Sequence, residues 1–189
     1  QMYNNFRSSS IPIPMSFVGY ATKAVLILEF SPTIISVVLA GKVGSYITSS
    51  IGTMRVTEQI DALDIMGVNS ANLLILPKIL ASLVFNPLLI AISIVFGIWG
   101  GYLAGIGTGS WSAADYITGI QMYMPSHFIW YAFFKTAVFA FLIATIPAYF
   151  GYNVKGGSLE VGRASTQAVV WTIVAVIITN LVLTQMFLS

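Results

Sequence analysis

Residues 79–106 read ILASLVFNPLLIAISIVFGIWGGYLAGI, a run without one Asp, Glu, Lys or Arg. A hydrocarbon core about 30 Å thick is crossed by roughly 20 apolar residues in helical conformation. The run therefore predicts a transmembrane helix. Three further apolar stretches accompany it, at about 24–41, 128–150 and 168–188. The first also reads more widely, from Ile11 to Ile51, as a helix broken or tilted around Pro32. The chain is 57% hydrophobic and 7% charged over 189 residues, whereas soluble domains carry roughly 25% charged residues. The fold expected is an all-α polytopic transmembrane bundle of four spans, one membrane domain covering residues 1–189.

The connections give the orientation. The one after the first span, about 52–78, holds Arg55 and Lys78, and the one at about 151–167 holds Lys155 and Arg163. The connection at about 107–127 has Asp115 and His127 but no Lys or Arg. Cytoplasmic loops retain Lys and Arg preferentially, so the outer two are cytosolic and the middle one extracytoplasmic. Both chain ends then lie outside. Gln1–Ser10 lacks the basic and apolar regions of a signal peptide, so at least one spanning helix is expected upstream of Gln1.

Several function classes drop out. Eight Lys and Arg against six Asp and Glu leave a net charge of +2, too small and dispersed for a nucleic-acid surface. No cysteine is present, which removes disulfides and thiolate metal ligands. The lone histidine, His127, offers no metal cluster or His-containing catalytic pair and reads as an interfacial polar residue. Trp111, Tyr116, Tyr123, Trp130 and Tyr131 suit an aromatic belt at the membrane edge.

Within the spans, Gly97, Gly101 and Gly105 recur at four-residue spacing and give one helix face a small-residue stripe for close contact. Packing within the chain explains such a stripe more simply than a homodimer seam. Pro87 is expected to kink the same helix. Lys23 and Lys42 lie near the ends of the first apolar run, where long side chains snorkel. Glu29 and Lys135 lie deeper, where a charge costs at least about 2.5 kcal/mol on insertion scales. From charge alone, a structural ion pair and a ligand-facing cavity charge account for them equally well.

The connection Gly52–Gly67, GTMRVTEQIDALDIMG, reads as a short amphipathic helix. Val56, Ile60, Leu63 and Gly67 fall at helical spacing, Glu58, Asp61 and Asp64 lie on a neighbouring arc, and Gly67 suits a C-terminal stop. Helices lying on membrane surfaces favour basic residues, and three acids would be repelled by anionic lipid. Docking onto a protein fits this pattern better than contact with lipid.

The run GTMRVTEQIDALDIMGV, preceded by AGKVGS at Ala40–Ser45 and followed by LPKILA at Leu76–Ala81, resembles the signature of the MlaE (YrbE-type) permease family. EFSP at Glu29–Pro32, FGIWGG at Phe96–Gly101 and GGSLEVGRASTQAVV at Gly156–Val170 extend the resemblance over nearly the whole chain. It implies a multi-pass permease subunit of the bacterial inner membrane, part of an ABC transporter that moves phospholipids between inner and outer membranes and maintains outer-membrane lipid asymmetry. Arg55, Glu58, Gln59, Asp61 and Asp64 would then belong to a coupling helix that docks on a separate ATPase subunit. This chain has no GxxxxGK[ST] phosphate loop, so ATP and Mg would sit on that partner and this subunit would hold no cofactor. Glu29, Phe30, Lys135 and Asn180 would serve lipid binding or gating. The further partners implied are a second permease copy, an MCE-domain lipid-binding protein and, in some systems, a STAS-domain accessory.

Two positions depart from relatives of this type: Leu28 stands where some have Arg, and Asn180 where some have Asp. Fewer cavity charges weaken any simple transfer of headgroup chemistry. A secondary transporter coupled through Glu29 and Lys135 is the main rival reading. An intramembrane enzyme is weaker, since HExxH and GxSxG are both missing from the sequence.

Overall fold

A computed structural model describes residues 14–188. Every regular element among them is helical, and four helical stretches are long and apolar enough to cross a membrane: Ser16–Val56, Ser70–Thr108, Ser126–Tyr152 and Ser158–Phe187. The first comprises α1 (Ser16–Val25), α2 (Ser31–Leu39) and α3 (Ser45–Val56), joined without a break by π-helical turns at Leu26–Phe30 and Ala40–Gly44. A proline removes one backbone donor and crowds the carbonyl four residues earlier. Pro32 is the second residue after the first wide turn, and the helix passes through it unbroken.

The short elements α4 (Gln59–Ile65) and α5 (Ser70–Leu74) precede α6 (Leu76–Thr108), which is followed by α7 (Ala113–Gln121), α8 (Ser126–Tyr152) and α9 (Ser158–Leu188). Two connections differ from the sequence reading. The connection expected at 107–127 contains α7, whose N-cap Ser112 accepts a hydrogen bond from the Ala114 amide. The connection expected at 151–167 shrinks to residues 153–157, because α9 begins at Ser158 rather than near 168. Its polar first turns project Glu160 and Arg163, which pair with each other at 2.8 Å, so the apolar window reported only the later part of the helix. Ile11–Ile13, in the wide reading of the first span, lie outside the described residues.

The chain forms two compact units. The first takes residues up to Pro32 together with Ile90–Ala132. In it α1 lies against α7, with Gly19 facing Gly119 so closely that a Cβ on Gly119 would meet the Ser16 carbonyl and the Gly19 Cα. Lys23, buried rather than snorkelling, donates from Nζ to the carbonyls of Ile120 at 2.9 Å and Met122 at 2.6 Å, satisfying the C-terminal end of α7. Tyr116 is also buried, not interfacial: its hydroxyl donates to the Ile98 carbonyl at 3.1 Å and its ring stacks on Trp111. Burial pushes the Tyr116 phenol above its ordinary pKa, so it remains a donor. The glycine stripe of α6 packs within this unit, Gly97 receiving Leu26, Gly101 the Tyr116 hydroxyl and Gly105 the Trp111 indole.

The second unit takes Thr33–Leu89 and Phe133–Ser189. Here α3 packs along α9, and Ile47, Ile51, Ile60, Ala144 and Ala148 form its buried apolar cluster. Hydroxyls tie the helices together. Thr48 donates to the Pro147 carbonyl at 2.9 Å, Ser82 to the Ala140 carbonyl at 3.0 Å and Ser165 to the Ser45 carbonyl at 3.3 Å.

Gly119→Val is expected to lower the melting temperature of the detergent-purified protein. Overpacking of this kind costs about 1–3 kcal/mol, which is about 2–4 °C per kcal/mol at this size. Gly107→Ala, where nothing lies within 4 Å of an added Cβ, is the control and should leave melting unchanged. Equal melting of the two variants would mean that the α1–α7 approach is not tight.

Candidate functional site

The first candidate is the turn-and-helix after the first long helix. The α3 helix stops at Val56 because Glu58 adopts a left-handed backbone, φ 60°, the one non-glycine residue with positive φ among the described residues. Such a conformation is uncommon for a residue with a side chain and persists only when its surroundings hold it. Two contacts hold this one. Ile60 is fully buried in the apolar cluster with Ile47 and Ile51. Arg55, on the last turn of α3, reaches across the break to pair with Asp61, while its guanidinium lies over the Tyr152 ring at 5.9 Å. The Tyr152 hydroxyl in turn shares a 2.9 Å hydrogen bond with Ser70, so α3, α4, α5 and the end of α8 are linked through side chains.

The magnitudes rank these contacts. A solvent-exposed ion pair contributes about 0.2–1 kcal/mol, and Asp61 is exposed. Removing the buried Ile60 side chain costs about 2–5 kcal/mol. Ile60 is the anchor, and the Arg55–Asp61 pair sets the angle at which α4 leaves it. At its other end α4 stops as the sequence indicates: Gly67 has φ 76°, its amide bonds to the Asp64 carbonyl at 3.0 Å, and the Val68 amide bonds to the Leu63 carbonyl at 3.1 Å.

This arrangement separates the five polar residues expected in a coupling helix. Arg55 and Asp61 face each other, whereas Glu58, Gln59 and Asp64 are exposed without that tie. Beside them stand Ile65, 87% exposed, Met66, 68% exposed, and the exposed Val68. The sequence reading centred on the acids and passed over this apolar tip. The DIMG string carried the signal, because apolar residues in the final turn before a glycine stop fall off the buried face.

The second candidate is intramembrane. Lys135 is wholly buried, its Nζ within 3.5 Å of the Thr184 hydroxyl and 6.0 Å from the Phe139 ring. One turn earlier on α9, Asn180 accepts from the Thr33 hydroxyl at 3.2 Å. Helices α2, α8 and α9 of the second unit thus contribute a polar seam of Thr33, Lys135, Asn180 and Thr184. Glu29 and the exposed Phe30 belong to the first unit, on the π-helical turn Leu26–Phe30. Widened turns of this kind recur at functional positions in helices, and no residue type in LILEF announces one. Among the described residues no three His, Asp or Glu side chains come together as a metal site.

The family profile of Permease MlaE matches residues 1–186. A probable ABC transporter permease protein of Rickettsia bellii is 38% identical, over 96% of this chain and 74% of its own length. The chloroplastic protein TRIGALACTOSYLDIACYLGLYCEROL 1 of Arabidopsis thaliana is 33% identical, over 84% of this chain and 45% of its own length. The intermembrane phospholipid transport system permease protein MlaE of Haemophilus influenzae is 29% identical, over 88% of this chain and 64% of its own length. A match over nearly all of the sequence, on a chain with four membrane-length helices and a tethered short helix between the first two, places this protein in the MlaE permease family of multi-pass membrane transport proteins.

Proposed function

We propose that the chain is the membrane subunit of an ATP-driven transporter that moves phospholipids between the inner and outer membranes of a bacterium, and that it sits in the inner membrane as a pair of copies. The observation that carries this reading is the tethered α4 helix. Buried through Ile60 and braced by Arg55–Asp61, it presents Glu58, Gln59, Asp64, Ile65 and Met66 outward as one rigid surface. A surface that sets an exposed apolar tip beside acids suits a protein groove with an apolar floor and a basic rim. The names of the relatives support an ABC ATPase as that partner and phospholipid as cargo.

The ATPase would hold ATP and Mg, and its movements would be passed through α4 to α3 and, through Tyr152, to α8. Such a lever works only if the helix moves with the bundle, which is what the Ile60 anchor provides. The polar seam around Lys135 and Asn180 in the second unit and, separately, Glu29 and Phe30 in the first would meet the lipid headgroup or gate its passage. An MCE-domain protein outside and a STAS-domain accessory on the cytosolic side are the further partners that family resemblance implies.

Co-purification with the ATPase tests the docking surface. Ile65→Asp with Met66→Asp, and separately Glu58→Lys with Asp64→Lys, are expected to reduce ATPase recovery at least tenfold while leaving melting unchanged, since these side chains are exposed. Ile60→Ala should instead lower both melting and recovery. Full recovery from both surface variants would rule out α4 as the docking helix.

Lipid handling is tested apart from docking. Glu29→Ala and Lys135→Met are expected to change the amount or headgroup class of phospholipid that co-purifies with the intact complex. Wild-type lipid content and transport in both variants would remove the two residues from the pathway.

A further inference from the structure

A groove of about 260 Å³ opens on the second unit. Its apolar wall is built by Leu39, Val43 and Ile47 along the first long helix, by Phe85 and Leu89 on α6, and by Ile143 on α8. It shares no lining residue with Glu29, Phe30, Lys135 or Asn180. Tyr46 and Phe85 on its edges are 68% and 63% exposed, so it opens sideways towards what surrounds the helices. One end is charged. Lys78, in the first turn of α6, has its ammonium 3.4 Å from the Ser50 hydroxyl and 5.6 Å from the Tyr46 ring, and no carboxylate among the described residues pairs with it.

We propose that this groove is a binding site for one acyl chain of an anionic membrane lipid, whose phosphate rests on Lys78. Two observations set the occupant. The first is charge: a half-buried ammonium without a carboxylate, at the end of an apolar channel, complements an amphiphile with a negative head. The second is length. From Lys78 to Leu89 the helix rises about 16 Å, and half of a hydrocarbon core about 30 Å thick is about 15 Å. The groove therefore spans one leaflet, with its cation at headgroup depth.

The leaflet is the one on whose side Arg55, Lys155 and Arg163 also lie, the cytosolic leaflet by the distribution of basic residues. Residues of α3 and α6 line the groove, and these two helices flank the α4 and α5 elements in the chain. A lipid seated there would brace the frame that carries α4. This inference rests on the spans crossing a bilayer, not on phospholipid being the cargo.

The test uses the full permease with its ATPase subunit in nanodiscs, probed with phosphatidylglycerol and phosphatidylcholine that carry a photoreactive group in one acyl chain, and cross-links mapped by mass spectrometry. Labelling at Tyr46, Phe85 or Leu89 is expected to favour phosphatidylglycerol about fivefold, the preference that one lysine at an anionic surface supplies. Lys78→Gln should abolish that preference and leave weak labelling by both lipids. Ala81→Trp, an exposed groove position, should block labelling by both lipids without altering melting. Equal labelling of the wild-type protein by the two lipids, or a preference that survives Lys78→Gln, overturns the headgroup contact. No lipid label at the groove, or a cross-link there to polypeptide instead, overturns the site.

Discussion

Hydrocarbon offers no partner for a backbone amide or carbonyl, so each peptide group in a span must be satisfied by the chain itself. That constraint accounts for the elements seen: all described regular structure is helical, and the helices run through Pro32, Pro87 and Pro147 without ending. It also accounts for how side chains are used. Thr22, Thr145 and Thr172 donate to the carbonyls four residues earlier, which satisfies a hydroxyl at no cost to a neighbouring helix. Other donors are spent on carbonyls elsewhere in the same unit. Thr48 takes that of Pro147, and Lys23 takes two at the end of α7.

Outside the hydrocarbon the same chain obeys different rules. At α4 water competes for every charge, so the Arg55–Asp61 pair is a weak tie and the buried Ile60 the strong one. The division leaves the outward residues outside the packing of the helix while the inward one holds it in place. Glu58 pays for the sharp exit with a left-handed backbone. A continuous α-helix from α3 into α4 could not both bury Ile60 and turn Asp61 back towards Arg55.

The class of fold was legible because hydropathy is a property of long windows, and four windows agreed. Element ends were less legible for the same reason: the first turns of α9, with Glu160 and Arg163, are helical but polar. The α7 helix was written locally, in the Ser112 cap, Asp115 in the first turn and the Tyr116 and Gly119 pair, but it is too short to stand out as a span. The role of Lys23 was hidden because its partners lie 97 and 99 residues away. Of the candidate site, the acidic helix and the two deep charges could be found from spacing and from the cost of burial. The cluster that buries Ile60 and the π-helical turns required coordinates, since Ile47 and Ala144 lie far from Ile60 in sequence and no residue type in LILEF announces a wide turn.

What the helices bury and what they expose completes the argument. Val84, Phe85, Val95 and Trp99 are exposed, while Ser31, Thr48, Asn86, Lys135, Thr136 and Thr172 are buried. In lipid an apolar surface gains little by leaving its surroundings, so association rests on close packing and polar contacts. The polar residues of this chain are therefore the grammar of its interior, and a polar seam alone does not mark a transport path. Charge adds the distinction. The Thr33–Asn180 contact joins two neutral groups, whereas Lys135 brings a basic side chain to a position with no exposure at all. A basic group buried at such depth has to be matched by its surroundings, and the Thr184 hydroxyl and the Phe139 ring are among the groups that meet Lys135.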